Sequence, residues 1–213
     1  RRSESMALIK PTTSDKQSVN YYGICDIAVL NFQDRSPQYD WADIYLDITV
    51  KQKGSDYTKS IRLAGSLDKG PDGSVSGGSV LNRLYHLFDI LGVKAGINAK
   101  GSWETEDGQA IENIAKYLND GYAEGIDSSP TKFPFLAYVY KEKPKQVDGK
   151  VYTRVHHKIN LNSVEGRKKL EDDMNWLREK GYLKEAPLEN KTVQDKTMEE
   201  LEEVFGSDSL GNM

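Results

Sequence analysis

The chain has 213 residues, of which 37% are hydrophobic and 29% are charged, and its net charge is −4. This composition predicts a folded core beneath a polar surface and excludes a fully disordered chain. No window approaches the roughly 18 apolar residues of a membrane span, so no membrane partner is expected. The single cysteine excludes an internal disulfide and a cysteine-based zinc site and favours a reducing cytoplasm, and the three histidines leave little material for a histidine metal site.

The charge is unevenly distributed along the chain. Residues 185–213 carry eight acidic side chains against two lysines, a net charge of −6, which leaves +2 for residues 1–184. A mildly basic body with an acidic tail is therefore expected. The predicted organisation is a vector-derived remnant at 1–5 before a natural start at Met6, a flexible arm at 6–20, a domain at 21–184 and the acidic tail at 185–213.

Hydrophobic periodicity predicts three strands in the first third of the chain. Residues 21–32 are largely apolar at both odd and even positions, which point to opposite faces of a strand. This pattern favours a central strand with two buried faces. Residues 41–51 alternate between apolar and polar side chains with period two, which is typical of a half-buried strand. A turn at Gly54 leads to a partner strand over residues 57–64.

Helices and two further strands follow the first three strands. Strands that are not separated one by one by helices argue against a doubly wound parallel sheet. The order instead favours an α+β fold that is mainly β, a five-stranded OB-like Greek-key barrel with a helical insertion between strands 3 and 4 and a C-terminal helix. A β-sandwich with appended helices is the alternative. The predicted elements are a helix from Ser79 to Leu91 that ends at Gly92, a helix over 107–120, strands at 133–140 and 151–161, and a helix from Ser163 to Lys180.

Motifs for catalysis are absent from the sequence. It has no G-x-S-x-G, H-E-x-x-H, C-x-x-C or G-x-x-x-x-G-K-[ST], so neither an enzyme nor a cofactor is expected. Asp43 and Asp47 could hold magnesium in a metal-dependent nuclease, but acids on the outer face of a strand are more often solvated surface. His156 and His157 are expected on opposite faces of one strand, where they cannot chelate the same metal ion.

Basic and aromatic side chains are concentrated on the strands at 41–64 and on the hairpin that ends at 161. Single-stranded nucleic acid requires this mixture, because cations neutralise phosphates and aromatic rings stack on bases of any identity. Cross-strand packing of the tyrosines and ordinary solubility charges are the alternative interpretation. The predicted nucleic-acid-binding residues are Trp41, Tyr45, Lys51, Lys53, Lys59, Arg62, Lys143, Lys145, Tyr152, Arg154, His156 and Lys158.

The acidic tail contains a helical pattern of its own. Thr197 and Glu200 form a capping box, and four apolar residues lie at helical spacing among glutamates. Such a segment can compete with nucleic acid for a basic face, or dock into the apolar groove of a replication or recombination protein. A packed terminal helix or a disordered end is the alternative. The apolar ridge of the tail consists of Met198, Leu201, Val204 and Phe205.

Three segments carry a resemblance to a known family: the strand pair at 41–64, the hairpin FLAYVYKEKPKQVDGKVYTRVHHKINL and the tail motif EELEEVF. Together they resemble phage-type single-stranded DNA-binding proteins, which combine an OB barrel with an acidic C-terminal tail that recruits replication proteins. The resemblance implies binding without sequence preference, in phage DNA replication, recombination and repair in the host cytoplasm. A viral structural or assembly protein is the alternative, and a homo-oligomer stays open.

Overall fold

The computed structural model describes residues 21–144 and 149–187, so the predicted arm, Lys145 and the apolar ridge of the tail lie outside the described residues. The strands are β1 (Gly23–Asp34), β2 (Ile44–Gln52), β3 (Thr58–Gly65), β4 (Asp68–Lys69), β5 (Val75–Gly77), β6 (Ala95–Ile97), β7 (Trp103–Thr105), β8 (Phe135–Glu142) and β9 (Tyr152–Leu161). The helices are α1 (Ser79–Leu91), α2 (Ile114–Tyr122) and α3 (Val164–Glu179), and a 3₁₀ turn covers Ser36–Gln38.

Five of these strands form one antiparallel sheet, in the order β3-β2-β1-β8-β9. They are the five strands that periodicity predicts, so the mixed α+β class, mainly sheet, is confirmed. The alternation in β2 has the expected cause, because Ile44, Leu46 and Ile48 point into the core and are buried. The sheet therefore has one face that the sequence pattern defines well.

The insertion between β3 and β8 contains the two predicted helices and two short hairpins, β4–β5 and β6–β7, that were not predicted. α1 ends as predicted at Gly92, which adopts a left-handed φ of 73°. α2 begins at Ile114 rather than near residue 107. Its start is fixed by Asn113, whose side-chain oxygen accepts the N–H of Lys116 at 2.9 Å.

The sheet is not closed into a barrel, which corrects the predicted five-stranded barrel. β3 and β9 lie close to each other, but no ladder joins them within the described residues. α1 bonds to both strands at this seam. Arg83 Nη2 donates to the Ala64 carbonyl of β3 at 2.9 Å, and His86 Nε2 donates to the Ile159 carbonyl of β9 at 3.1 Å. Because helix side chains satisfy these edge carbonyls, the two strands do not need to pair there.

Apolar side chains cover one face of the sheet and part of the other. The main core includes Phe32 of the sheet together with Leu84 of α1 and Ile114 of α2. α3 packs on the opposite face, where Leu170 and Met174 form a second buried cluster with residues of β8. The helices therefore hold the sheet from two sides, and the edges at β3 and β9 remain beside each other.

A bulge in β9 determines where its histidines point. Between Ala137 and Val139, a single residue of β8 faces residues 156–158 of β9. A bulge of this kind bends the strand and redirects its side chains. The rings of His156 and His157 therefore stack, with centroids 4.3 Å apart and planes at 30°. The expectation that strict alternation separates them onto opposite faces is wrong.

Candidate nucleic-acid interface

A cleft of about 610 Å³ opens along the seam between β3 and β9, and we call it the seam cleft. Its walls are the N-terminal halves of the two strands, and the end of β8 and the segment after α3 complete the lining. The lining includes three cations (Lys59, Arg62 and Arg154), three tyrosines (Tyr57, Tyr140 and Tyr182), two histidines (His156 and His157) and one carboxylate (Glu142).

The cations give the seam cleft a net positive charge. Arg62 is exposed on the outer face of β3 and has no hydrogen bond or ion pair within the described residues. Arg154 Nε donates to Glu142 at 2.8 Å, and its guanidinium lies 5.3 Å from the ring centroid of Tyr152. Lys59 is partly buried, and burial lowers its pKa from the ordinary value of a lysine. Because Glu142 is already paired, it does not cancel the charge of the other two cations.

Two tyrosines present their rings to solvent at the seam cleft. Tyr57 is 53% exposed and Tyr182 is 70% exposed, and the ring of Tyr182 lies 5.9 Å from that of Trp176. Tyr140 is partly buried, and burial raises its pKa. Exposed rings beside cations are the arrangement that base stacking requires.

Sequence reasoning missed all three tyrosines of the seam cleft, and also His157. Tyr57 stands at the start of a predicted strand and Tyr182 follows a predicted helix, so neither belongs to a periodic polar face. The only signal for them was the excess of 12 tyrosines and 3 tryptophans over 5 phenylalanines. That excess predicts half-exposed aromatic rings, but it does not identify which of them lie together in one site.

Trp41 and Tyr45 lie in a separate aromatic cluster. Tyr39, Trp41 and Tyr45 have ring centroids 4.7 to 6.1 Å apart near the start of β2. Packing leaves Tyr45 only 8% exposed, whereas Trp41 is 59% exposed. Tyr45 pairs with Ala64 of β3, so Arg62, two residues away on the same face, lies between this cluster and the seam cleft.

The other predicted residues are distributed around the sheet. Lys158 is held by an aspartate of α3 at 2.7 Å, and Lys53 is held by an aspartate of β1 at 3.6 Å. Lys51 faces Thr58 across the strand pair, at the edge of the seam cleft. Lys143 is exposed just beyond β8. The structure therefore brings Lys59, Arg62, Arg154 and His156 into one cleft and places Lys158 and Lys53 in ion pairs.

No family model, no curated protein and no solved structure matches this chain. Its function is therefore inferred from the charge, the exposed rings and the shape of the seam cleft. Within residues 21–144 and 149–187, no helix is long and apolar enough to cross a membrane. The same part of the chain contains no group of three or more His, Cys, Asp or Glu side chains placed to hold a metal ion.

Asp43 and Asp47, the predicted alternative for a nuclease, belong to two separate networks. Asp43 Oδ1 accepts from Lys69 Nζ at 2.8 Å, and this bond holds the pKa of Asp43 below its usual value. Asp47 is buried, accepts from the hydroxyl of Ser60 and lies 3.3 Å from Arg35 Nη2. Asp43 lies just before β2 and Asp47 lies within it, so each carboxylate is held by its own partners.

The two histidines of the seam cleft are neutral at neutral pH. Burial, and then the charge of Lys158, lowers the pKa of His156 from 6.5 to about 4. Burial, and then electrostatic repulsion from His156 and Arg83, lowers the pKa of His157 from 6.5 to about 3. The N–H of Lys158 donates to His156 Nδ1 at 3.2 Å, so the neutral ring carries its proton on Nε2.

Proposed function

We propose that the protein binds single-stranded DNA in the seam cleft, without sequence preference and without catalysis. The observation that carries the proposal is the coincidence of net positive charge and exposed tyrosine rings in one cleft. Arg62 contacts a phosphate, while Tyr57 and Tyr182 stack on bases. Only unpaired bases offer their faces to such rings, which favours a single strand over a duplex.

The bound strand continues from the seam cleft across the outer face of β3 toward Trp41. Arg62 lies between the two aromatic groups, and the exposed indole of Trp41 offers a further stacking surface. Asp47 lies on this face but is held by Arg35 and Ser60, so its charge is partly compensated. This path uses the predicted residues on β2 and β3 together with the tyrosines that the structure adds.

The fold of the proposed binding domain is an open variant of the OB-like Greek key. Three consecutive strands are followed by a fourth, β8, which returns through a long connection to lie beside β1. That order supports a Greek key. The face of the second and third strands, where OB folds bind oligonucleotides, carries Lys51, Arg62 and Tyr45 here.

The acidic tail is proposed to inhibit DNA binding and to dock replication or recombination proteins. The last described residues support a tail that starts beside the cleft, because the N–H of Ala186 donates to the Lys141 carbonyl at 2.8 Å. The N–H of Lys143 likewise donates to the Lys184 carbonyl at 2.9 Å. From that position, glutamates of the tail can reach the same cations as a phosphate backbone.

The biological setting that follows from the resemblance is phage DNA replication, recombination and repair in the host cytoplasm. A protein that binds any sequence through charge and stacking can cover exposed strands as they form. Recruitment through an acidic tail would then place partner proteins on those strands. This biological setting depends on DNA binding, so the titration described next also tests it.

The first experiment is a fluorescence-anisotropy titration of labelled oligo-dT with the full chain at two salt concentrations. If three phosphates are neutralised, log K falls with log salt at a slope of roughly −2, which is three times about −0.7. A duplex of equal length is the matched control and is expected to bind more weakly. No binding of oligo-dT at low salt contradicts the proposal and favours an assembly protein, to be tested by measuring the oligomer mass.

The role of the tail is tested by removing residues 188–213, which keeps the strand pairing at Ala186. We expect the shortened protein to bind oligo-dT more tightly, because a competing polyanion is lost. Replacing Glu199, Glu200, Glu202 and Glu203 by Gln in the full chain separates charge from length and should have the same direction of effect. Unchanged or weaker binding in both variants would remove the inhibitory role.

A further inference from the structure

The stacked pair His156–His157 is the part of the seam cleft whose ordinary pKa, about 6.5, lies near neutral pH. The bulge in β9 brings both rings to the same side of the strand, and both line the cleft. Strict alternation along the strand would have sent one of them away from a bound ligand. The geometry therefore places two titratable rings beside the proposed path of the phosphates.

The charged groups around the pair are mostly positive. Arg83 and His86 of α1 and Lys158 of β9 oppose a proton on the rings, whereas Asp173 of α3 favours one. Asp173 is already bound to Lys158 at 2.7 Å. The remaining charges at the cleft are its three cations and its paired carboxylate, defined above. An anion in the cleft would relieve this positive charge and make protonation of the rings easier.

We propose that the pair His156–His157 takes up one proton when a nucleic-acid phosphate enters the seam cleft, so that DNA binding strengthens as the pH falls. This inference rests on the proposed function and concerns the regulation of the same site. One proton is expected rather than two, because the ring centroids are 4.3 Å apart and two charges would repel. Protonation of His156 at Nδ1 would also displace the N–H of Lys158.

The size of the effect follows from proton linkage. In the free protein the pKa values of about 4 and about 3 keep both rings neutral between pH 6 and pH 8. If a bound phosphate restores one ring to the ordinary pKa of about 6.5, affinity rises about fourfold between pH 8.0 and pH 6.0. Arginine side chains stay charged throughout this range, so they do not contribute to the change.

The test is the oligo-dT titration at pH 8.0, 7.0 and 6.0, with constant ionic strength. Calorimetry at pH 6.5 in two buffers of different ionisation enthalpy measures proton uptake directly on the unmodified protein. The double variant His156→Asn and His157→Asn is expected to bind with the same affinity at all three pH values. His86→Gln is the matched control, because His86 does not line the cleft and the glutamine amide can still donate to the Ile159 carbonyl, and it should keep the pH dependence.

The possible outcomes separate the two proposals. Tighter binding at pH 6.0 with proton uptake that the double variant loses supports the inference. Binding that is independent of pH and releases or takes up no proton overturns this inference and leaves the DNA-binding function intact. Absence of binding at every pH overturns both. Proton uptake that persists in the double variant overturns the assignment to this pair, and calorimetry on the unmodified protein decides the linkage if the variant does not fold.

Discussion

Arg62 is the residue at which the seam cleft and the aromatic cluster around Trp41 meet. It is exposed and unpaired within the described residues, so Arg62→Ala should remove a phosphate contact without disturbing the fold. We expect weaker oligo-dT binding and a salt slope that is smaller in magnitude by about 0.7. Lys132→Ala is the control, since it removes one exposed charge outside the cleft and should change neither quantity. Equal losses in both variants would mean that only the overall charge matters.

Tyr182 tests whether stacking contributes beside charge. Tyr182 is 70% exposed, so Tyr182→Ala removes an aromatic surface with little loss of packing. Binding of oligo-dT should weaken by on the order of 1–3 kcal/mol, as for other stacked bases. Tyr182→Phe keeps the ring and should bind like the unmodified protein, as measured by anisotropy at one salt concentration. A loss in the Phe variant as large as in the Ala variant would assign the effect to the hydroxyl instead.

At the scale of single elements, periodic patterns were sufficient to predict the five main strands. β2 was predictable because its inward positions alternate strictly and are all buried. The bulge in β9 was not predictable. Alternation along one strand gives no sign that three residues of β9 lie opposite a single residue of β8. The start of α2 was not predictable either. The apolar pattern suggested a longer helix, but the capping side chain of Asn113 makes the helix begin at Ile114. A bulge or a capping side chain acts on one or two residues, so a hydrophobic pattern averaged over the whole element does not reveal it.

The packing of α3 is open to a test with two glycines. A Cβ at Gly166 would collide with the carbonyl oxygen of Leu161, which is backbone and cannot move aside easily. Gly166→Ala should therefore destabilise the protein although alanine favours helices. Gly121→Ala in α2 meets no atom within 4 Å and should stabilise by about 0.5–1 kcal/mol. Urea unfolding of both variants measures the difference, and a stabilised Gly166→Ala would contradict the close approach.

For the whole molecule, the site depends on segments that are far apart in sequence. The seam cleft joins residues 57–62, 140–142, 153–157 and 182–183, and Arg83 and His86 of α1 bond to carbonyls of the two strands beside it. Basic and aromatic residues were predicted for the site, and four of the predicted residues, Lys59, Arg62, Arg154 and His156, line the cleft. It was not predictable that these residues would lie in one cleft, because that depends on the sheet staying open between β3 and β9.

The partly buried histidine pair makes the stability of the whole molecule depend on pH. Unfolding restores both rings to a pKa near 6.5, whereas folding holds them at about 4 and about 3. The unfolded chain therefore binds more protons below pH 6.5, and stability is lost as the pH falls from 6.5 toward 4. Urea midpoints at pH 8.0, 7.0, 6.0 and 5.0 should be constant above pH 7 and then decline. The double variant His156→Asn and His157→Asn should decline less between pH 6.5 and 5.

Bound DNA should oppose this loss, because the same proton that weakens the free protein strengthens the complex. A ligand stabilises the folded state by RT ln(1 + [L]/Kd), so a fourfold lower Kd at pH 6.0 adds about 0.8 kcal/mol at saturating oligo-dT. The increase in Tm on adding oligo-dT should therefore be larger at pH 6.0 than at pH 8.0. Thermal unfolding with and without oligo-dT at both pH values measures it. An equal increase at both pH values would separate the two effects and leave the histidine pair as a determinant of stability alone.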